Sequence, residues 1–419
     1  MDTLTGAEAA VRMLDCYGVR HIFGLCGDTS LPFYDALVRL PHGITHVLTR
    51  DERSAAYMAD GYARVSGRPG VCEGPSGGGA TYLLPGLVEA NESSVPVLGL
   101  TSDVPVGSRG RYPLTELDQR SLYRPLTKWN TVCDRAADVP QAIRAAFRHM
   151  TTGRPGAAHI GLPFDVLKQP LDAGEVWAQE AHARCPAWRC GPDPEAVAAA
   201  ATALLAARRP VVVCGGGVVS AGAGDVLTAV AALLQAPVCT TVTGKGAIAE
   251  THPLSVGVVG LNGGVVPTRE VVAQADLVMF VGCRAGSTTT ERWTQPARRA
   301  DRARRRRPAG RLRQLPHGAR PHRRCPSRAR GAARRPGGAS GRARDRARRR
   351  KAIVAGARRA KFEAFDALAA ADVRPIRPER IVAEMNRVLP HDTVVVADPG
   401  TPAPTCRPTT GCRRPDAAS

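Results

Sequence analysis

Glu52 is the residue of this chain best placed to do chemistry. It ends the stretch Thr45-His46-Val47-Leu48-Thr49-Arg50-Asp51-Glu52, which reads as a short strand running into a helix. Small and apolar residues recur beyond it at Ala55, Ala56, Ala59, Tyr62 and Ala63, which is helical spacing. Glu52 lies in the first turn on the same stripe, so its carboxyl group faces the packed side of the helix. A carboxyl group so placed can hydrogen-bond a heterocycle nitrogen and hold a proton there. The competing reading is a capping box: Thr49 caps the helix and Glu52, three residues on, reaches back to its backbone N–H. The stretch by itself leaves both open.

The elements that must position Glu52 repeat along the first 175 residues. Thr3 to Tyr17 is an amphipathic helix that Thr5 can cap, with Ala9, Ala10, Met13 and Leu14 on its apolar stripe. His21-Ile22-Phe23-Gly24 reads as a buried strand, and the turn to Asp28 leads into a helix near Leu31. Strand, glycine turn and helix recur at Val71–Ser76, Val95–Thr101 and Ala158–Leu162. That alternation predicts an α/β fold, a parallel sheet covered by helices. Ligands of such sheets sit beyond the carboxyl ends of the strands. Gly27, Glu52 and Ser76–Thr81 all fall at predicted strand ends, so one mouth can hold all three. The Ser76-Gly77-Gly78-Gly79 run lets backbone approach a flat ring, or is simply a tight turn.

A second unit of the same kind spans about 193 to 296. Asp193 to Arg209 reads as an Ala-rich helix, Pro210–Cys214 as a strand, then Gly215-Gly216-Gly217 and a helix through Leu234. Pro237–Thr241 and Leu277–Val281 are further strands. The predicted architecture is therefore two doubly wound parallel-sheet domains. Gly215-x-Gly217-x-x-Ser220 is an incomplete dinucleotide fingerprint, lacking the third Gly and a placed acid.

Several of these segments fall in the order of one family. Arg50-Asp51-Glu52-Arg53-Ser54-Ala55-Ala56-Tyr57-Met58-Ala59-Asp60-Gly61-Tyr62-Ala63-Arg64 closely resembles the strand–Glu–helix stretch of thiamine-diphosphate enzymes of the acetolactate synthase-like superfamily. Phe23-Gly24-Leu25-Cys26-Gly27-Asp28 resembles its early Gly-rich loop, and Ser76-Gly77-Gly78-Gly79-Ala80-Thr81 its Ser-Gly-Pro-Gly-Ala-Thr-Asn loop. Gly153-Arg154-Pro155-Gly156-Ala157-Ala158-His159-Ile160-Gly161-Leu162-Pro163 resembles the segment closing its first domain. Four positions depart from the pattern: Gly78 for Pro, Tyr82 for Asn, and Ser102-Asp103 for Gly-Gln. They bear on the substrate more than on the cofactor. Lys128, in Arg124-Pro125-Leu126-Thr127-Lys128-Trp129, is a candidate anion contact or plain solvated surface.

The resemblance implies a carboligase or decarboxylase of 2-oxo acids, of the kind used in branched-chain amino acid biosynthesis. Glu52 would hydrogen-bond the aminopyrimidine ring of thiamine diphosphate, with Gly27, Ser76, Gly77, Gly79 and Thr81 around it. In the family a third domain supplies Gly-Asp-Gly…Asn, which holds Mg²⁺ against the diphosphate. The family site forms between subunits, which implies a homodimer or homotetramer. In acetolactate synthases the middle domain carries FAD, and the resemblance places Arg154, Gly260, Gly282 and Arg284 at it. Other relatives keep that domain without the flavin, so FAD stays open.

Charge divides the chain unevenly. Between Arg298 and Arg350 there are 22 Arg, no Lys and two acids, a net of +20, against +21 for the whole sequence. The remainder is an ordinary soluble protein by charge. The segment 297–350 has only Leu312 and Leu315 as larger aliphatic residues, which predicts disorder. As a basic arm it would bind nucleic acid through phosphates, but it lacks Lys, aromatics and periodicity, so nucleic acid is the lesser reading. Its composition resembles GC-rich DNA translated out of frame. Family-like sequence resumes after it: Lys361–Leu368 and Pro378–Leu389 read as helices, and Thr393–Thr401 as the first strand and loop of a third α/β domain. Residues 351–401 are then the start of a diphosphate-binding domain, and 402–419 an aberrant tail. No Gly-Asp-Gly occurs anywhere, so no metal ligand is assigned and the chain is expected to be truncated and inactive alone, or dependent on a partner subunit. Twelve scattered cysteines without a C-x-x-C pair, no secretory pattern and no long apolar run lead to the expectation of a reduced, cytoplasmic, non-membrane protein. The DNA of the locus, read in the alternative frame across 297–350, should encode a strand-forming, acid-containing segment; a frame without one rejects the frameshift reading.

Overall fold

The structure, a computed structural model, describes residues 2–261, 263–295, 339–390 and 393–396. Two compact units divide it, Met1–Cys190 and Gly191–Ser419.

The first unit contains eight strands: β1 (Thr3–Thr5), β2 (His21–Gly24), β3 (Thr45–Leu48), β4 (Gly70–Gly74), β5 (Val97–Asp103), β6 (Trp129–Val132), β7 (Ala158–Pro163) and β8 (Pro170–Asp172). Its helices are α1 (Gly6–Cys16), α2 (Leu31–Arg39), α3 (Glu52–Ser66), α4 (Gly78–Tyr82), α5 (Leu84–Ser93), α6 (Gln119–Tyr123) and α7 (Asp138–Thr151). Six strands form one parallel sheet in the order β3-β2-β4-β5-β7-β6, and β1 pairs antiparallel with β8. All six strand ends therefore open on one side.

Local chemistry explains the elements. The Thr5 hydroxyl accepts from the Glu8 N–H and the Glu8 carboxylate from the Thr5 N–H, a complete capping box for α1. β4, β5 and β7 are buried along their whole length, as parallel strands covered on both faces must be. One face packs on α1, α2 and α7 through Met13, Leu14, Phe33, Ile143 and Phe147. The other packs on α3 and α5 through Ala55, Ala56, Ala59, Leu83 and Leu87. Small residues let α3 sit very close: a Cβ on Gly70 would lie 2.1 Å from the Ala59 carbonyl oxygen.

The second unit has β9 (Pro210–Cys214), β10 (Val238–Thr240), β11 (Ser255–Val258) and β12 (Leu277–Val281), all parallel, in the order β11-β10-β9-β12. Its helices are α8 (Pro194–Ala206), α9 (Gly216–Ser220), α10 (Gly224–Leu234), α11 (Val266–Ala273), α12 (Ala339–Ala369) and α13 (Pro378–Val388). Both units are thus α/β with parallel sheets and flanking helices.

Two expectations need correction. Disorder was expected through residue 350, but α12 begins at Ala339. Arg and Ala are both strong helix formers, and this helix also has anchors. Arg350 donates to the carbonyls of Leu234, Ala207 and Arg208, Val354 is buried in the core of the unit, and Arg358 donates to Glu250, His252 and Ser255. Likewise the described part of the expected strand, Thr393–Val396, is irregular: among the described residues no strand pairs with it, and Val394, Val395 and Val396 are exposed. The rest of the Arg-rich segment, the loop to Thr401 and the tail lie outside the described residues.

The close approach of α3 to β4 makes a testable contrast. Gly70→Ala should cost about 1–3 kcal/mol by forcing the Ala59 backbone away. Gly61→Ala, mid-helix with nothing within 4 Å, should gain about 0.5–1 kcal/mol. Denaturant midpoints of the two variants check both signs.

Candidate active site

The mouth of the first sheet is built where β2, β3 and β4 end. Thr49 follows β3, and both its N–H and its hydroxyl donate to the Gly24 carbonyl, at 2.9 and 3.2 Å. It is therefore not the cap of α3. Asp51 is, accepting from the Arg53 N–H at 2.8 Å and from the Arg53 guanidinium. That guanidinium pulls the Asp51 carboxyl down to about 2. Glu52 is consequently the first residue of the helix, and the capping box is excluded.

Glu52 is buried, at 7 % exposure, and among the described residues no hydrogen bond reaches its carboxylate. Two glycines form its surroundings. A Cβ on Gly79 would lie 3.1 Å from Glu52 Oε1, and one on Gly74 would lie 3.3 Å from Glu52 Cγ. Pro75 sits between the two glycine loops: a Cβ on Gly27 would meet it at 2.6 Å and one on Gly79 at 2.5 Å. Gly77 has φ +67°, and a Cβ there would strike Thr115 at 2.5 Å. Glycine is required at these points because backbone, Pro75 and Glu52 already fill the space.

The structure thus brings Gly27, Glu52, Ser76, Gly77 and Gly79 to one mouth. Thr81 is nearby in sequence, but its hydroxyl is spent on the Gly78 carbonyl of its own helix at 2.8 Å. Ser76 belongs to a row of hydroxyls that sequence reading did not assemble. Thr29 Oγ1 donates to Ser76 Oγ at 3.1 Å and lies 2.8 Å from Ser102 Oγ, and Ser76 Oγ lies 2.6 Å from Thr115 Oγ1. With one proton per hydroxyl, the bonds run from Ser102 to Thr29 to Ser76 to Thr115. No local pattern signals this row, since its members come from four segments.

Glu73 was also missed. It interrupts the apolar run of β4, and that lone acid in a buried strand was the available signal. It is 2 % exposed, and Tyr34 donates its hydroxyl to Glu73 Oε2 at 2.6 Å. Burial pushes the Glu73 carboxyl up to about 8, while the Tyr34 and Ser30 hydroxyls pull it back.

Lys128 is neither an anion contact nor plain solvated surface. Its amino group donates to the carbonyls of His149, Thr152 and Arg154, closing the C-terminal end of α7. Burial lowers its pKa. Arg154 is also engaged, donating to Ser94 Oγ at 2.8 Å and to the Asn91 and Glu92 carbonyls.

In the second unit the glycine turns are filled by the chain itself. The Gly215 and Gly217 N–H groups donate to the Val281 and Gly282 carbonyls, so that turn offers no free phosphate cradle from those two amides. A Cβ on Gly260 would lie 2.3 Å from the Thr288 carbonyl oxygen and one on Gly282 2.5 Å from the Val218 nitrogen. Arg284 stands exposed on the loop after Gly282. Gly260 and Gly282 let backbone segments pack closely at these points.

Comparison with known proteins agrees with this division. Residues 4–122 match the thiamine pyrophosphate enzyme N-terminal TPP binding domain, and residues 197–304 match the thiamine pyrophosphate enzyme central domain. Together the two matches cover more than half of the sequence. The chain belongs to the thiamine pyrophosphate enzymes. It is 40 % identical over 289 residues to a probable acetolactate synthase large subunit of Methanocaldococcus jannaschii, a match covering 68 % of this chain and 48 % of that protein. A probable 2-ketoarginine decarboxylase of Pseudomonas aeruginosa is 40 % identical over 289 residues, covering 68 % and 50 %. The acetolactate synthase isozyme 1 large subunit of Escherichia coli is 34 % identical over 280 residues, covering 67 % and 48 %. The chain spans about half the length of the curated relatives it matches.

As a thiamine pyrophosphate enzyme domain, the first unit depends on the end of α7 staying closed. Lys128→Met should cost about 1–3 kcal/mol, because three carbonyls lose a charged donor. Thermal unfolding of the variant, compared with Lys128→Arg, checks it.

Proposed function

We propose that this chain contributes the pyrimidine-binding half of a thiamine-diphosphate-dependent carboligase or decarboxylase of 2-oxo acids, of the acetolactate synthase type. The observation that carries the reading is the Glu52 carboxyl group: buried, without a hydrogen-bonding partner among the described residues, and flanked by Gly74 and Gly79. Glu52 is held at a largely buried position with no protein donor to its carboxylate among the described residues, so a ligand at the mouth can supply one. A flat heterocycle with a ring nitrogen suits the acid, since Glu52 can meet its edge.

The cofactor, when bound, supplies the nucleophilic carbon and the electron sink of the reaction. The chain's own residues do the remaining work. Glu52 binds the ring nitrogen and holds or moves a proton at its carboxylate. Gly74, Gly77 and Gly79 set how closely backbone approaches, and Pro75 spaces the Gly27 and Gly79 loops. The Ser102–Thr29–Ser76–Thr115 hydroxyl row supplies polar atoms that orient a ligand at the same mouth.

The diphosphate half is a separate matter. No Gly-Asp-Gly string occurs in the 419 residues, so Mg²⁺ ligands of that type come from outside them, from another subunit or a further part of the protein. A homodimer or homotetramer, or a complex with a paralogous subunit, would complete the site, and these residues alone would turn over a 2-oxo acid poorly or not at all. The resemblance also leaves FAD open at the central domain, through Arg154, Gly260, Gly282 and Arg284. Among the described residues no helix is long and apolar enough to cross a membrane, which suits a soluble, cytoplasmic enzyme.

Calorimetric titration with thiamine, thiamine diphosphate and Mg²⁺ tests the assignment. Thiamine should bind weakly, and Glu52→Gln should weaken it at least about tenfold, about 1.4 kcal/mol. Equal binding by the variant rejects the role of Glu52. Tight, Mg²⁺-dependent binding of thiamine diphosphate by this chain alone would reject the half-site.

A further inference from the structure

β4 carries one ionisable carboxyl group in an apolar strand, between Gly24 of β2 and Leu100 of β5 in register. Tyr34 of α2 donates to its Oε2, and His46 of β3 lies 3.0 Å from the same hydroxyl. The Tyr34 proton goes to Glu73, so His46 Nε2–H donates to Tyr34. Glu73 Oε1 is buried and has no partner at ordinary hydrogen-bonding geometry. The Ser30 hydroxyl faces this carboxyl group, and Ser30 Oγ in turn binds both the N–H and the carbonyl of Gly27, each at 3.0 Å.

The ionisable groups around Glu73 are Tyr34 from α2, Cys26 from the loop after β2, Cys72 from its own strand, Glu52 from α3 and, behind Tyr34, His46 from β3. No Arg or Lys pairs with it among the described residues. An ionised Glu73 would be a buried charge facing a second carboxylate.

We propose that Glu73 is a positioning residue of the mouth: its carboxyl group carries a proton on Oε1 and, through Tyr34 and Ser30, fixes α2 and the Gly27 turn beside Glu52. The functional consequence rests on reading the mouth as the cofactor site. Loss of the proton leaves a buried charge in the sheet facing the Glu52 side chain, and the repulsion falls on α2 and the Gly27 turn.

The direction of the pH effect follows. The folded group titrates near about 8 and the unfolded chain near its ordinary 4.5. A raised acid stabilises the fold fully below the unfolded value, and that contribution is lost as pH rises through the folded one. Between these limits folding takes up a proton, so stability declines with pH.

Hydrogen exchange across residues 24–39 of the full chain, corrected for intrinsic rates, tests the proposal. From about pH 6 to about pH 9 the wild type should lose about tenfold in protection there. Glu73→Gln should keep its protection at both values, because the amide supplies the same donor and acceptor without titrating. Glu73→Leu should be poorly protected at both. Identical pH profiles for wild type and Glu73→Gln, or loss of protection by Glu73→Gln at the lower pH, overturn the proposal. Should Glu73→Gln not fold, Tyr34→Phe serves: removing the donor to the charged form must move the transition to higher pH, and an unmoved transition overturns it. Thiamine titrated into the same proteins separates the two readings. No binding by either, with distinct exchange profiles, rejects the cofactor site alone; binding with identical profiles rejects Glu73 alone.

Discussion

A buried carboxyl group must find a partner, a proton or a way back to water. That constraint governs the mouth of the first sheet, where Glu52 and Glu73 are both mostly buried residues and, among the described residues, no cation is paired with either. Parallel strands end on one side, so their loops converge there whatever their spacing in the chain. Glycines at 24, 27, 74, 77 and 79 make the convergence tight enough to exclude water and side chains. The packing that excludes water also makes each acid depend on a specific companion.

Much of this was legible in the sequence, for physical reasons. The 3.6-residue stripe of small residues after Glu52 could only be the packed face of a helix, and it is. Thr5 and Glu8 stood at capping-box spacing and form one. The same rule misled at Thr49, where the Gly24 carbonyl captured the hydroxyl first. Sheet pairing outweighed a local cap, and Asp51, closer to the helix, took the role. The hydroxyl row could not be read at all, because bonded members are separated by up to 73 residues and only strand order brings them together. Lys128 likewise gave no sign that three carbonyls lay above it.

Composition was a weaker guide than pattern. An Arg-rich, aliphatic-poor run predicted disorder, yet its described part is helical from Ala339. The deciding feature is not hydrophobic area but anchoring. Arg350 and Arg358 close orphan backbone carbonyls at strand and helix ends, and Val354 supplies the apolar contact between them. A guanidinium with several donors can end a helix or a strand as a cap does. The incomplete Gly215-x-Gly217 fingerprint carries a turn whose two amides donate to the end of β12 and to Gly282.

The two acids of the mouth differ in role because they differ in what surrounds them. Glu52 is the first residue of a 15-residue helix, where unpaired N–H groups favour an anion. Among the described residues its carboxylate has no hydrogen-bond donor. Glu73 lies in the middle of the sheet, against hydroxyls from α2 and the Gly27 turn, with no helix end and no cation. A proton is the cheapest companion available to it. If both groups were ionised, their repulsion would fall on the loops that set the width of the site. Keeping Glu73 neutral removes that repulsion, and Glu73 bears on the mouth through Tyr34 and Ser30.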